Sequence, residues 1–371
     1  MDELRQAAVT SALLRLIRQK TNRLGRRVRI MEVCGTHTMT VYRYGLNPLL
    51  QAAGIDLLSG PGCPVCITPD EYHEAIIDLL TQRPKTVVAS FGDMTRVPTQ
   101  KGSLQTVAPA PASRLKIIYS PMEAVDLALT HPEEEVVLFA AGFETTIPSI
   151  AITVKEAKKK GLLNFSLLAA LWLIPPPIRA ILEGGEVALD GFLYPGHVST
   201  IIGWVPYRFV AEDFGIPGTI TGFEPNDVLL GVISILDQLL TNKPKVEIEY
   251  RRAVPPDGNL KALAVMGDVF EPKDAFWRGL GLIPLSGLRL RPEYQDFDAS
   301  ARFSLDVTSL RAKKTERACR CGEVLRGILQ PEECPLFGTS CRPESPYGPC
   351  MVSYEGACLI HFKYNRPGKE K

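Results

Sequence analysis

The sequence predicts an α/β protein of two similar parallel-sheet units followed by a cysteine-rich C-terminal segment. Three observations carry this expectation. Short apolar runs alternate with helical patterns through the middle of the chain. Six of those runs end in glycine-bearing polar turns. Six of the nine cysteines fall between Cys319 and Cys358, and none lies between residues 67 and 318.

The runs follow in order. Arg29–Val33 leads into Cys34-Gly35, Asp56–Leu58 into Ser59-Gly60-Pro61-Gly62, and Thr86–Phe91 into Gly92-Asp93. Val136–Ala140 leads into Gly142-Phe143-Glu144, Gly191–Tyr194 into Pro195-Gly196-His197, and Thr219–Thr221 into Gly222-Phe223-Glu224. Helical patterns over Pro69–Leu80, Met122–Leu129 and Asn226–Leu240 separate them. Such alternation builds parallel sheets with helices on both faces. Open sheets of this kind bind ligands beyond the carboxyl ends of their strands. Cys34, Cys63, Cys66, Asp93, Glu144 and His197 are therefore expected along one face or cleft.

The likeness of Gly142-Phe143-Glu144-Thr145-Thr146 to Gly222-Phe223-Glu224-Pro225-Asn226 points to two similar halves. Pro175-Pro176-Pro177 suits the first turn of a helix. Beyond Pro244 the alternation fades, and Pro255-Pro256-Asp257-Gly258 reads as a turn or linker. The expected division is 24–120, carrying the Cys34, Cys63 and Cys66 cleft, then 121–245, then 246–371. A helix within 1–23 should pack on a neighbouring unit. The last fifty residues hold much Cys, Pro and Gly and little apolar core, so a metal or crosslink should hold them.

Composition narrows the function classes. A chain of 371 residues implies two or three domains. Lys and Arg number 42 against 41 acidic residues, a net charge of +1, so no basic field exists for nucleic acid. Lys158-Lys159-Lys160, before Gly161, reads as a solvated helix C-terminus. Near the N-terminus Leu13, Leu14, Leu16 and Ile17 are interrupted by Arg15 and Arg18, the pattern of an amphipathic helix and not of a signal peptide. No stretch approaches the ~18 apolar residues that span a bilayer. A cytoplasmic location is expected, in which cysteines bind metal or do redox chemistry more often than they form structural disulfides. The sequon Asn164-Phe165-Ser166 then carries no meaning, and an odd cysteine count fits poorly with a fully paired disulfide framework.

Gaps of one, twelve, six, eight and seven residues separate Cys319, Cys321, Cys334, Cys341, Cys350 and Cys358. No paired C-x₂-C knuckles of a zinc ribbon occur, nor the C-x₂-C-x₂-C of a bacterial ferredoxin. Six thiols exceed the four that either a zinc ion or an iron–sulfur cluster takes. A four-plus-two division suits a cluster beside a dithiol, while zinc and plain buried thiols stay open as readings. Cys63-Pro64-Val65-Cys66 can close a disulfide or offer two thiolates to a soft metal. Cys34 and His37 share one face of a helical turn, as nucleophile and base or as ligand and supporting donor, or His37 merely caps the turn. Asp93 and Glu144 divide evenly between function and helix-start roles, as does His197 at its strand end. His73, His131 and His361 have no motif and read as surface or capping residues. No phosphate-binding G-x-x-x-x-G-K-[ST], dinucleotide G-x-G-x-x-G or G-x-S-x-G elbow is present.

Cys34-Gly35-Thr36-His37-Thr38, Gly60-Pro61-Gly62-Cys63-Pro64-Val65-Cys66, Phe91-Gly92-Asp93-Met94, Gly142–Thr146 and Pro195-Gly196-His197-Val198 together resemble the HypD family of [NiFe]-hydrogenase maturation factors. The tail agrees through Cys341, Pro349-Cys350-Met351-Val352-Ser353 and Glu355-Gly356-Ala357-Cys358, and the likeness covers nearly the whole chain. Thr99 and Tyr354 depart from the family pattern, which has Gly and Ser there, both at loop positions.

The resemblance implies two Rossmann-like domains with a C-terminal iron–sulfur domain, and a scaffold for assembly of the Fe(CN)2CO moiety. It implies HypC as iron-sharing partner and HypE, working with HypF, as cyanide donor. It also implies a 4Fe–4S cluster on C-x₁₄-C-x₆-C-x₁₆-C, here Cys319, Cys334, Cys341 and Cys358, with Cys321 and Cys350 as the extra dithiol. On this reading Cys34, with Cys63 or Cys66, holds Fe(II) carrying CN and CO. His37 would donate a proton or hydrogen bond, and Asp93, Glu144 and Glu355 would orient ligands or the partner's chain end. The free chain would be a monomer, with no nucleic-acid or membrane partner. The competing expectation is a stand-alone iron–sulfur thiol–disulfide oxidoreductase; a zinc-stabilised binding module is a third.

Overall fold

The computed structural model describes residues 7–108, 114–307 and 319–365. Its strands, in chain order, are β1 (Val28–Glu32), β2 (Ile55–Ser59), β3 (Thr86–Ser90), β4 (Leu115–Ile117), β5 (Glu135–Gly142) and β6 (Phe165–Leu171). There follow β7 (Gly191–Pro195), β8 (Gly218–Thr221), β9 (Val246–Ile248), β10 (Phe270–Trp277) and β11 (Gly281–Leu290). One sheet has the order β2-β1-β7-β8-β9, another β4-β3-β5-β6, and β10-β11 form a hairpin. Every pairing within the two larger sheets is parallel. All six expected runs are strands, and the three helical patterns appear as Asp70–Gln82, Met122–Thr130 and Pro225–Thr241.

The chain-order division at 24–120 and 121–245 is corrected by the pairing. The first sheet takes β1 and β2 from the N-terminus and then β7 to β9 from 191–248, whereas the second is built wholly from 86–171. The second α/β unit is thus an insertion within the first. The physical reason is register. Ile30, Met31 and Glu32 pair with Gly191, Phe192 and Leu193, a contact between segments far apart in sequence. Local alternation counts strands without saying which ones are neighbours.

Three further features carry no clear local signal. β6 is Leu- and Ala-rich and reads equally as a buried helix, and β9 is three residues long. β10 contains Pro272, with a register irregularity between Lys273 and Ala275. The hairpin packs on the second sheet through Leu173 N–H to Ser286 O, 2.9 Å.

The N-terminal helix Ala7–Leu24 lies on Pro225–Thr241 of the first unit. Its buried Ile17 joins Val28, Ile30, Val228, Val232 and Leu236 in one apolar cluster. A second cluster lies under Met122–Thr130 and Ile147–Lys159, around Val136, Leu138 and Phe165. The largest runs between the two sheets, through Phe139, Trp172, Phe192, Tyr194 and Tyr207, and continues into Cys63, Cys66, Cys321, Cys350 and Cys358. Fully burying one large apolar side chain contributes about 1.5–3 kcal/mol, so this shared core fixes the cysteine-rich segment against both sheets. Among the described residues no helix is long and apolar enough to cross a membrane.

Candidate functional site

Cys34 follows β1 and takes extended backbone angles as N-cap of the helix Gly35–Arg43. Cys63 is N-cap of the short helix Pro64–Ile67, with Pro64 in its first turn. The Gly60–Gly62 loop lies directly on Cys34. A Cβ on Gly62 would stand 2.4 Å from Cys34 N and 2.5 Å from its Cα, and Gly60 N–H donates to Glu32 O at 2.7 Å. Only glycine allows that approach. On the other side, a Cβ on Gly35 would stand 2.3 Å from Glu355 O and 2.6 Å from Glu355 Cβ, so Glu355 lies across the residue after Cys34.

Asp93 anchors the Glu355 loop. Its Oδ2 accepts from Ser353 Oγ at 3.1 Å and Tyr354 N–H at 3.0 Å, and its Oδ1 from Arg96 at 2.7 Å. The structure therefore gathers Cys34, Cys63, Cys66, Asp93 and Glu355 at the carboxyl ends of β1, β2 and β3. It joins Cys63 to Cys66 in a disulfide with Cα atoms 5.3 Å apart, both residues buried.

Burial shifts Cys34, Glu355 and Glu32 toward their protonated forms. Cysteines at helix N-termini usually ionise easily. Here burial dominates, and with the carboxylates of Glu355 and Glu32 it pushes the Cys34 thiol up to about 12. Burial, then Asp93, raises Glu355 to about 7. Glu32 was not singled out by the motifs. It is a buried acid at the end of β1, raised to about 8 by burial although it accepts from Thr38 Oγ1 and from Cys34 N–H at 2.9 Å. Its one sequence signal is a carboxylate at the end of a parallel strand whose buried residues are otherwise apolar.

Three expected members stand apart. His37 is fully buried, its Nε2 faces the carbonyls of Thr221 and Gly222 at 3.3 and 3.0 Å, and its ring stacks on Phe223 at 4.9 Å. Burial lowers it to about 4, so at neutral pH it holds no extra proton to give. The proton-source role is corrected accordingly: the helical turn aims His37 at β8, not at the cleft. His197 also stacks on Phe223, ring centroids 3.8 Å apart. Glu144 is buried beyond β5, accepts from Ile174 N–H at 3.0 Å, and is raised to about 7 by burial, with Oε2 unpartnered. His73 is not a surface residue either; it is buried against Phe139 at 5.2 Å.

In the C-terminal segment Cys319, Cys321, Cys350 and Cys358 are near neighbours, each thiol influencing the next one's ionisation. Cys341 Sγ accepts from Tyr347 N–H at 3.4 Å, and a Cβ on Gly348 would stand 2.9 Å from Cys319 Sγ. Neighbouring thiols and burial raise Cys319, Cys321, Cys350 and Cys358 above the ordinary thiol range. Among the described residues no three His, Cys, Asp or Glu side chains already form a closed metal-ligand set. The donor chemistry nevertheless fits a cluster: buried thiols, a backbone N–H on sulfur and a glycine cradle where a side chain would collide.

Arg278, at the hairpin turn, donates through its backbone N–H to Ile67 O at 2.8 Å and through Nε to Thr68 O at 3.2 Å, and pairs with Asp70. It ties the hairpin to the Cys63–Cys66 helix. A groove of about 370 Å³ opens beside it onto Cys319 and Cys321.

The family model described as "HypD: Hydrogenase formation hypA family" matches residues 8–365. A protein of Rhodobacter capsulatus named hydrogenase maturation factor HypD is 42% identical over 368 residues, 98% of this chain and 97% of its own length. Proteins of that name from Rhizobium leguminosarum bv. viciae and Escherichia coli K12 are 43% and 40% identical, covering 99% and 100% of this chain and 95% and 99% of their own.

Proposed function

This chain belongs to the HypD hydrogenase-formation family, and we propose that within hydrogenase maturation it is the scaffold on which the Fe(CN)2CO moiety is assembled. One observation carries the reading. Cys34 is held between the Cys63–Cys66 turn and Glu355 by glycines that bring backbone against backbone. Cys34, the Cys63–Cys66 turn and the Glu355 loop thus lie together beyond the strand ends.

Iron carrying cyanide and carbon monoxide is low-spin Fe(II), for which thiolates are suitable ligands. Cys34 starts protonated, so iron uptake has to displace its proton. Glu355, beside it and raised to about 7, is the carboxyl placed to accept that proton. Asp93 holds the Glu355 loop closed. Cys63 and Cys66 bind only after their disulfide is reduced. HypC would complete the iron's ligand set with a thiolate, and HypE would deliver cyanide. Glu144 lies apart from these residues, and its unpartnered Oε2 is the atom that would orient a ligand or the partner's chain end arriving there.

Cys319, Cys334, Cys341 and Cys358 would hold a 4Fe–4S cluster, which supplies electrons. Cys321 and Cys350, near neighbours, form the dithiol that exchanges with Cys63–Cys66. Two thiols give up two electrons and two protons and close to a disulfide, and the opposite pair opens to two thiols. The packing of Pro64–Ile67 on the turn Pro349–Met351 supports this route.

The stand-alone thiol–disulfide oxidoreductase remains the second reading, favoured by that same packing, and it needs no Cys34. The test is the anaerobic visible and infrared spectrum of the chain isolated with co-expressed HypC, wild type beside Cys34→Ala. C≡N and C≡O stretches together with cluster absorption, the stretches vanishing in Cys34→Ala, are expected. Cluster absorption with no diatomic stretches in the wild type would move the assignment to the oxidoreductase, and a colourless zinc-containing protein would overturn both.

A further inference from the structure

His361 lies outside the chemistry above, and its sequence context suggests a surface residue. It is instead 1% exposed, in the helix Ala357–Tyr364, one position class away from Cys358 at i+3. Its Nδ1 stands 2.9 and 3.1 Å from the two carboxylate oxygens of Glu332. Glu332 belongs to the turn Pro331–Glu333, whose next residue is Cys334, and it also accepts from Asn365 Nδ2 at 2.6 Å. The other face of the imidazole lies against Tyr42, ring centroids 3.9 Å apart. Tyr42 sits in the helix Gly35–Arg43 that starts at Cys34.

One side chain therefore touches the segment bearing Cys334, the helix bearing Cys358 and the helix capped by Cys34. The geometry is well suited to restraint. A hydrogen bond to a carboxylate is among the stronger ones, and a buried, tilted ring contact adds to it. Cys334 needs such help: it is half-exposed and its turn is only three residues long, with little apolar surface to hold it.

We infer that His361 is a positioning residue that sets Cys334 against Cys358, acting through Glu332, and couples both to the Cys34 helix through Tyr42. The inference rests on the reading that Cys334 and Cys358 serve one metal centre. Three variants separate its parts. His361→Phe keeps a ring on Tyr42 and removes the donor to Glu332. His361→Asn loses the ring but places an amide N–H near the Nδ1 position. Glu332→Ala removes the acceptor from the more exposed side and leaves the buried core intact.

The experiment is alkylation of the reduced, metal-free full chain with iodoacetamide, the rate at Cys334 read by peptide mass spectrometry. A bond of this class restrains by about tenfold or more in local opening, so His361→Phe and Glu332→Ala should label Cys334 about tenfold faster. His361→Asn should return to within about threefold of wild type. A purely space-filling role predicts the reverse order, with Phe near wild type and Asn fast, and that result overturns the inference. So does an unchanged Cys334 rate in Glu332→Ala, which reports even if the His361 variants do not fold. After reconstitution, the cluster's electron paramagnetic resonance signal should broaden in His361→Phe and sharpen again in His361→Asn. Because the labelling uses metal-free chain, a wild type that takes up no cluster would count against the metal reading alone.

Discussion

Gly62→Ala tests most directly whether the Cys34 cleft is built as described. The added methyl would lie 2.4 Å from Cys34 N, 2.5 Å from Cys34 Cα and 2.6 Å from Val33 C. All three are backbone atoms at the end of a central strand, and no side-chain rotation relieves them. Ordinary contact begins near ~3.5 Å, so the Gly60–Gly62 loop has to retreat by about 1 Å. Overpacking of this kind costs about 1–3 kcal/mol, and three rigid neighbours place it at about 3 kcal/mol. For a chain of 371 residues that lowers the melting temperature by about 4 °C. A misplacement of about 1 Å at reacting groups also costs on the order of a hundredfold in rate. Differential scanning calorimetry and the diatomic infrared signal of the HypC co-preparation are the assays. Gly267→Ala is the control: it is in a helix with nothing within 4 Å of its Cβ, and should gain about 0.5–1 kcal/mol. A Gly62→Ala protein that melts within ~2 °C of wild type and keeps its diatomic bands would refute the reasoning.

Other perturbations follow from the same geometry. Glu32, Glu144 and Glu355 have folded values raised from 4.5 to about 8, 7 and 7, so they bind protons more tightly folded than unfolded, and stability falls as pH rises from about 4.5 through 8. His37 and His73 are lowered from 6.5 to about 4 and 3, so stability also falls as pH drops from about 6.5 through that range. The two limbs overlap between about pH 4.5 and 6.5, and with three acids against two histidines the melting temperature should peak at the acid end of that overlap, at about pH 5; Glu32→Gln should flatten the alkaline limb, as calorimetry against pH would show. In Cys321→Ala/Cys350→Ala, iron and its diatomic bands should remain while hydrogenase maturation stops after at most one round; normal maturation in that variant would end the dithiol relay. Gly348→Ala puts a Cβ 2.9 Å from Cys319 Sγ, so iron and sulfide content after reconstitution should fall at least twofold, with the Cys34 labelling rate unchanged.

Local order was legible from sequence because period and punctuation are local properties. The runs at Arg29–Val33 and Val136–Ala140 are short and mostly apolar, and each is followed within two residues by a glycine-bearing turn. Turn glycines likewise marked Gly60–Gly62 and Gly35 before any contact was known. Their reason was tertiary: Gly62 must clear Cys34, and Gly35 must clear Glu355, some 320 positions on. The motifs named Cys34, Cys63, Cys66, Asp93 and Glu355 as candidates, and packing brought them to one place. The same helical spacing that allied His37 with Cys34 failed, because the rotation of the helix Gly35–Arg43 was set by burial of His37 against Phe223, not by its cysteine neighbour. Likewise nothing near His361 announces that its ring will meet Tyr42 and Glu332. The insertion of one sheet unit within the other depends on β1 choosing β7, and long-range hydrogen-bond register leaves no periodic trace in the chain. By itself the sequence determined the α/β class, the strand ends and the inventory of thiols and carboxyls. Only the tertiary structure decided which of them share a cleft and which stay neutral, because both depend on desolvation by residues remote in sequence.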